Sequence, residues 1–498
     1  MTLPRKSLLN ALGWSAAGQI FAVFIRLAGI VVLARLLTPH DYGVFSLALL
    51  SINLSADLVR GGFSRALIQL KDVAPAHISA SFCASITMAL ILALATAGAS
   101  SGLAGFFDAP QLAQAIPAIA IVIFLEGASS TSRALLQRRT QFRFQSLVDS
   151  VSLVLGNYLI SISLAYMGFG YWSLVAGQVG NALLALILLY SRVRHPIAAG
   201  FSLAAFGEVF KFSGSFMLSI VANYFARSGD NIVVGKVLGV SEVGVYGRAF
   251  NLFSIPVNTL GQAASTALFP DLARKREDLA SLRATYLRAL SVSAALMMPA
   301  GVMLSLCAQS MVVSVLGDEW VAVGLPLAIL GVSLFPRFAY KVTESVAVAS
   351  GAVLKSAVRQ IVYCMLVLAG AFVGARLGIA GVAAGVSFAI VIFYFLSARL
   401  ANQVSGASWS EFVRAHASGF WLSCLLAAAG LPLSFAMREL SPWLQFIGLT
   451  GAGTLAAGAA ILVSPRLFLG MEMLKVLQRL PGRVRRRLPR SFTIKLQD

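Results

Sequence analysis

Runs of 20 or more predominantly apolar residues recur along nearly the whole chain, and about 20 such residues are what a helix needs to cross the hydrocarbon of a bilayer. Fourteen can be drawn, near 12–36, 42–69, 78–107, 113–137, 144–166, 172–191, 207–237, 242–269, 284–312, 321–350, 356–375, 379–400, 413–436 and 443–464. The connections are short and several carry turn chemistry, as in MGFG at 167–170, LGDEW at 316–320 and ELSPW at 439–443. At 58% hydrophobic and 12% charged residues, this chain of 498 has more apolar surface than one soluble core can hide. The sequence therefore predicts an all-α polytopic membrane protein of about 14 transmembrane helices.

The formal net charge of +20 would point to nucleic acid in a soluble chain. Here the basic residues punctuate apolar runs and crowd the C-terminus, so no nucleic-acid partner is expected. Lys and Arg collect on the cytoplasmic side of a membrane protein. With the N-terminus inside, Arg5, Lys6, Lys71, Arg138, Arg139, Arg143, Arg192, Arg194, Arg274, Lys275, Arg276, Arg283, Lys355, Arg399, Arg414 and a strongly basic tail fall on that side, against Arg35, Lys236, Arg376 and Arg438 on the other. Both termini are thus expected in the cytoplasm. The first apolar stretch runs past Leu36, too long for a cleavable signal, and reads as an uncleaved first span. The tail, 466–498, spaces Leu467, Met471, Leu474 and Leu477 at helical intervals before turning basic, as a helix lying on anionic inner-leaflet lipid would. Cys83, Cys307, Cys364 and Cys424 lie far apart, without metal-ligand spacing, and read as packing residues.

An internal repeat sets the organisation. Shifted by 201 residues, RLAGIVVLARLLTPHDYGVF at 26–45 lies on RSGDNIVVGKVLGVSEVGVY at 227–246, which matches Arg26 to Arg227, Arg35 to Lys236, Asp41 to Glu242 and Gly43 to Gly244. A weaker echo pairs 168–177 with 378–387. Six spans separate the matched helices, and an even number returns the chain to the same side. The expectation is two parallel, pseudo-symmetric six-helix lobes, 1–200 and 201–402, two additional spans over 403–465, and the basic tail.

Charges inside spans are costly, about 2.5–3.5 kcal/mol each at the bilayer centre, and so face partners or water. Asp57, Arg60 and Ser64 share one helical face, as do Glu126 and Arg133, then Asn223, Arg227 and Asp230, then Arg337, Lys341 and Glu344. With Arg65 set aside as too near the cytoplasmic end, seven positive groups (Arg26, Arg60, Arg133, Arg227, Arg248, Arg337, Lys341) oppose four negative ones (Asp57, Glu126, Asp230, Glu344), an excess of about +3. The cations are candidate substrate-binding residues of a cationic cavity. The four carboxylates are candidates for ion coupling or internal pairing. Arginine suits phosphate, because its planar fork grips two oxygens at once. The chain contains no G-x-x-x-x-G-K-[ST] phosphate loop, D-x-D or H-E-x-x-H, and His40, His77, His195 and His416 are scattered. Neither a catalytic centre, a cofactor nor a metal site is expected.

The segments RLAGIVVLARLLTPHDYGVFSLA at 26–48, with its L-x-P-x-D-Y-G turn, SRALLQRRTQFRFQSL at 132–147 and LGVSEVGVYGRAFNL at 238–252 resemble the Wzx-type flippases. These are polysaccharide transporters of the multidrug/oligosaccharidyl-lipid/polysaccharide exporter superfamily, and the likeness is to their colanic-acid and exopolysaccharide branch. It extends over about 1–402. It implies a V-shaped two-lobed bundle in the bacterial inner membrane, open alternately to each face. It also implies a cargo, undecaprenyl-pyrophosphate-linked oligosaccharide, moved outward for exopolysaccharide or lipopolysaccharide synthesis, with Arg26, Arg60, Arg227 and Arg248 as positions that match cationic cavity residues. A polymerase and chain-length or export proteins are candidate partners. The alternatives are a multidrug or cation antiporter of the same superfamily, or a non-transporting component of a polysaccharide assembly complex.

Overall fold

The computed structural model describes residue 25 and residues 28–70, 72–194, 202–470 and 472–474. Arg26, Lys71, His195 and the tail from 475 onward lie outside the described residues, as does the Arg65 side chain. Helices account for nearly all the rest, with no strand among the described residues. In chain order the long ones are α1 (Pro39–Gly61), α2 (Pro75–Gly98), α3 (Leu112–Arg138), α4 (Phe142–Tyr166), α5 (Tyr171–Arg192), α6 (Leu203–Val237), α7 (Val240–Arg274), α8 (Leu279–Leu316), α9 (Gly324–Val332), α10 (Leu334–Ala349), α11 (Val353–Gly374), α12 (Gly378–Ser405), α13 (Trp409–Ala436) and α14 (Pro442–Val463).

Nine helices among the described residues are long and apolar enough to cross a membrane, ten when a pair bent by 44° between Asp318–Val332 and Leu334–Ala349 counts as one span. The chain is a multi-pass membrane protein. α6 and α7 are each 35 residues long and carry Arg227, Asp230 and Arg248 in their interiors. Exposed apolar side chains such as Leu94, Ile187 and Phe388 provide the surface that lipid would cover.

The L-x-P-x-D-Y-G segment is a helix start rather than a turn. Thr38 is the N-cap of α1: its hydroxyl accepts from the Asp41 amide at 3.2 Å, while the Asp41 carboxylate accepts from the Thr38 amide at 3.1 Å. Pro39 takes a position whose missing N–H costs nothing. The second Asp41 oxygen accepts from the Tyr171 amide at 2.9 Å, so one carboxylate satisfies orphan donors at the starts of both α1 and α5.

The described chain forms two compact units, Met1–Ser228 with Gly239–Gly244, and Gly229–Leu238 with Val245–Asp498. Within the first, the repeat is visible as a reciprocal contact. A Cβ on Gly43 would meet the Val240 carbonyl oxygen at 2.0 Å, and one on Gly244 would meet the Pro39 oxygen at 2.0 Å. Position 39 corresponds to 240, and 43 to 244, under the 201-residue shift. The matched glycines thus rest on the matched carbonyls, as a local two-fold axis requires.

Each unit also holds a glycine-lined helix pair. α5 packs on α4 with Gly156 against the Gly180 carbonyl and Gly177 against the Asn157 carbonyl. In the second unit α11 and α12 run antiparallel with Gly370 opposite Gly385 and Gly374 opposite Gly381. Small residues let backbones approach where the bilayer supplies no hydrophobic drive between helices. The core of the first unit is built on Leu47, Ile52, Ile116, Ile119, Ile123 and Leu136. That of the second gathers Leu282, Tyr286, Leu290, Phe335, Phe338, Tyr394 and Phe412.

Candidate functional site

Unit 1 contains an open cleft of about 730 Å³, walled by residues of α1, α3, α4, α5 and α6. The expected side chains reach it: Asp57 and Arg60 from α1, Ser64 from the 3-10 turn Phe63–Arg65 that follows α1, Glu126 and Arg133 from α3, and Asn223 and Arg227 from α6. Asp57 is held between two guanidinium groups. Arg60 Nη2 lies 2.7 Å from its Oδ1, and Arg227 Nη2 lies 2.7 Å from its Oδ2. Arg60 also reaches Glu126 Oε1 at 3.5 Å. Across the cleft Arg133 Nη1 contacts Asp149 Oδ1 at 2.6 Å.

Among the described residues of the cleft, the positive and negative groups are equal in number: Arg60, Arg133 and Arg227 meet Asp57, Glu126 and Asp149. The charge count from sequence omitted Asp149, which stands in the interior of the span that α4 forms. That position was the available signal. Each pair has one partner open to water and one largely covered: 43% of the Arg60 side chain, 60% of Arg227 and 49% of Asp149 are exposed, against 24% of Asp57, 14% of Glu126 and 21% of Arg133. Neutral hydrogen-bonding groups surround them, from Gln137, Gln145, Asn181, Ser130 and Ser152. Buried polar atoms without a hydrogen-bond partner remain at Glu126 Oε2, Arg133 Nε and Gln145 Oε1. Ser152 and Leu153 enter from a π-helical stretch, Ser152–Leu159, where the wider turn re-aims side chains within α4. The arrangement suits a polar ligand that exchanges hydrogen bonds and ion pairs with its walls. It shows no general acid–base pairing aimed at a common atom.

Arg138, in the segment at 132–147, supports this wall. Arg138 Nη1 donates to the carbonyls of Leu67 and Leu70, at 2.8 and 2.5 Å, and so ties α3 to the short helix Ala66–Gln69. Arg138 therefore holds orphan carbonyls at a helix end.

Of the other expected site residues, Arg26 lies outside the described residues, and Asp230, Arg248, Arg337, Lys341 and Glu344 lie in unit 2, where they meet different partners. Asp230 is 2% exposed and accepts from the Tyr246 hydroxyl at 2.8 Å, the Asn231 amide at 2.8 Å and Asn231 Nδ2 at 3.0 Å. Arg337 donates to the Tyr363 hydroxyl at 2.8 Å and lies over the rings of Tyr340 and Tyr363, 5.3 and 5.6 Å from their centroids. Arg248 is buried, with its guanidinium 5.7 Å from the centre of the Trp320 ring. Lys341 donates to the Val257 carbonyl at 3.2 Å, and Glu344 accepts from Ser356, which in turn accepts from Arg359 at 3.3 Å. Sequence spacing placed Arg337, Lys341 and Glu344 on one face but gave no sign of their separate partners: tyrosines for Arg337, the Val257 carbonyl for Lys341 and Ser356 for Glu344. Among the described residues, no group of three His, Cys, Asp or Glu side chains could hold a metal ion.

Comparison with known proteins agrees with this architecture. The model of the polysaccharide biosynthesis protein family matches residues 32–324. The chain is 27% identical to the succinoglycan biosynthesis transport protein ExoT of Rhizobium meliloti (strain 1021) over 67% of each protein. It is 22% identical to the lipopolysaccharide biosynthesis protein WzxC of Escherichia coli (strain K12) over 88% of each. Among solved structures, lipid II flippase MurJ in an inward closed conformation superposes with a TM-score of 0.74 at 13% identity, over 89% of this chain and 96% of the other, and so shares the fold. The family model spans more than half of the sequence, from before the Thr38 cap through the second repeat segment at 227–246, and the chain belongs to the polysaccharide biosynthesis protein family.

Proposed function

We propose that this protein is a flippase for polyprenyl-pyrophosphate-linked oligosaccharide, of the undecaprenyl type, serving exopolysaccharide or lipopolysaccharide synthesis at the bacterial inner membrane. The relatives' roles in succinoglycan transport and lipopolysaccharide biosynthesis support the cargo class. The observation that carries the reading is Asp57, whose carboxylate bridges Arg60 and Arg227 on the wall of an open cleft. A carboxylate gripped by two guanidiniums stands where one end of a pyrophosphate would bind, and cargo displaces it. Asp57 then acts as a resident anion, and its protonation or displacement frees both arginines together. The amides and hydroxyls of Gln137, Gln145, Asn181 and Ser130 suit the sugar.

Transport follows alternating access between the lobes expected at 1–200 and 201–402, with the polyprenyl chain left in lipid. Both termini face the cytoplasm, as the loop charges require. Polymerase and chain-length proteins are the expected neighbours of such a carrier.

Surface polysaccharide, measured in a flippase-deficient host expressing membrane-inserted variants, tests the reading. Losing a charge-assisted hydrogen bond to cargo in Arg227→Ala costs about 2 kcal/mol, an export loss of about tenfold or more. Arg227→Lys keeps the charge and retains more. Full export by both Arg227→Ala and Arg60→Ala would remove the cleft from the mechanism. A cation antiporter draws on the three carboxylates of the same cleft; resistance to cationic dyes conferred by the wild type, with no polysaccharide restored, would favour it instead.

A further inference from the structure

Unit 2 carries a groove of about 650 Å³ between the first turns of α8, the start of α13 and the segment that follows α14. It shares no lining residue with the cleft. Four guanidiniums line it, from Arg283, Arg288, Arg414 and Arg466, against two carboxylates, from Glu411 and Glu472.

The carboxylates are already engaged. Glu472 Oε2 lies 2.7 Å from Arg288 Nε and ties the segment after α14 to α8. Glu411 closes the N-terminal box of α13, accepting from the Ser408 amide at 2.9 Å and its hydroxyl at 3.0 Å, and reaches Arg283 at only 3.9 Å. Arg414 donates to the carbonyl and hydroxyl of Ser410 in its own helical turn, at 3.3 and 3.4 Å, and Arg466 is exposed. Two guanidinium planes thus stay open to a ligand. In the groove lining, the Ser418 hydroxyl is buried without a hydrogen-bond partner. A Cβ on Gly470, whose φ is +76°, would sit 3.1 Å from that oxygen. Leu287, Leu467 and the half-exposed Trp421 give the groove an apolar side.

Two crossings, α13 and α14, separate Arg414 from Arg466, so both lie at one membrane face. Arg274, Lys275 and Arg276, just before α8, mark it as the Lys- and Arg-rich side. Basic pockets between spans on that side are built for phosphate-bearing head groups, and an indole beside them favours the interface.

We infer that this groove holds the head group of an anionic glycerophospholipid, its phosphate gripped by Arg414 and Arg466 and its glycerol and chains laid along Leu287, Trp421 and Leu467. The inference rests on the orientation given above and not on the cargo. The sequence from 475 onward is itself strongly basic, with Arg483, Arg485, Arg486 and Arg487, and so matches the groove in charge sign rather than complementing it.

Native mass spectrometry of the full-length protein in detergent, with added phosphatidylglycerol, phosphatidylcholine or polyprenyl phosphate, tests it. Wild-type protein should retain phosphatidylglycerol over phosphatidylcholine by about tenfold, two arginines near a lipid surface being worth that much or more. The double variant Arg414→Ala/Arg466→Ala should lose that preference while staying monodisperse, and Arg414→Lys/Arg466→Lys should keep most of it. A control pair away from the groove, Arg276→Ala/Arg438→Ala, should change nothing. Equal retention of both phospholipids by the wild type, or competition by millimolar inorganic phosphate alone, would overturn the proposal. So would a preference for polyprenyl phosphate over phosphatidylglycerol, which would return the groove to the cargo. The polysaccharide assay reports on the cleft separately, so the two readings fail independently.

Discussion

In unit 1, Arg60 and Arg227 share one carboxylate on an open wall and keep 43% and 60% of their side chains exposed. In unit 2, Asp230 is 2% exposed, Arg248 is buried, and the partners are tyrosine hydroxyls, aromatic faces and backbone carbonyls. The same residue types at the same helical spacings have therefore reached two environments. Water screens the first set, so each ion pair adds little stability and is free to exchange for a ligand. The second set has lost its water, and every hydrogen bond it makes offsets a desolvation cost that would otherwise disrupt the bundle. Exchangeable pairing suits binding; committed pairing suits assembly.

The sharpest way to break this contrast is Asp230→Ala. It strips the Tyr246 hydroxyl and the Asn231 donors of their acceptor inside a dry core. We expect a loss of about 3 kcal/mol, read as a drop of several degrees in the thermal midpoint of purified protein. A midpoint within 1 °C of wild type would show that the site is wetter than its burial implies.

Asp57→Asn in the cleft should cost about 1 kcal/mol or less by the same measurement, because its two ion pairs are exposed, while altering export through the freed arginines. A stability loss matching that of Asp230→Ala would erase the distinction between the two regions.

The smallest effect lies outside the spans. Lys275 donates to Asp271 at 2.7 Å and, with Arg274 beside it, holds this carboxyl below its ordinary value of 3.8. A carboxyl lowered on folding stabilises the protein above its unfolded value, and that contribution fades as pH falls through the lowered one. About a third of each side chain is open to water, 32% of Lys275 and 36% of Asp271, so solvent screens the pair and only a few tenths of a kcal/mol are involved. Asp271→Asn should slightly flatten the acid limb of stability below about pH 4 and leave neutral pH nearly unchanged. Equal sensitivity of variant and wild type between pH 4 and 3 would exclude the pairing in solution.

Length and hydropathy of the apolar runs determined that this chain is helical and multi-pass, because a bilayer admits only helices and closed barrels and continuous runs of about 20 apolar residues suit the helix. Helical periodicity likewise placed Asp57 and Arg60 with Ser64 on one wall, and the 201-residue repeat matched Gly43 to Gly244, though not the contacts these glycines make. The L-x-P-x-D-Y-G segment was legible as a marked position, though not as a helix cap that also serves α5. Only the tertiary structure decided which charges share water. Asp149 closes the balance of the cleft from across the bundle, and Tyr246 and Tyr363 take up Asp230 and Arg337 from neighbouring helices. Periodicity fixes the face a side chain presents along its own helix. What stands opposite depends on helix packing, and a neutral tyrosine or a single carboxylate on another span leaves no spacing signal to reveal it.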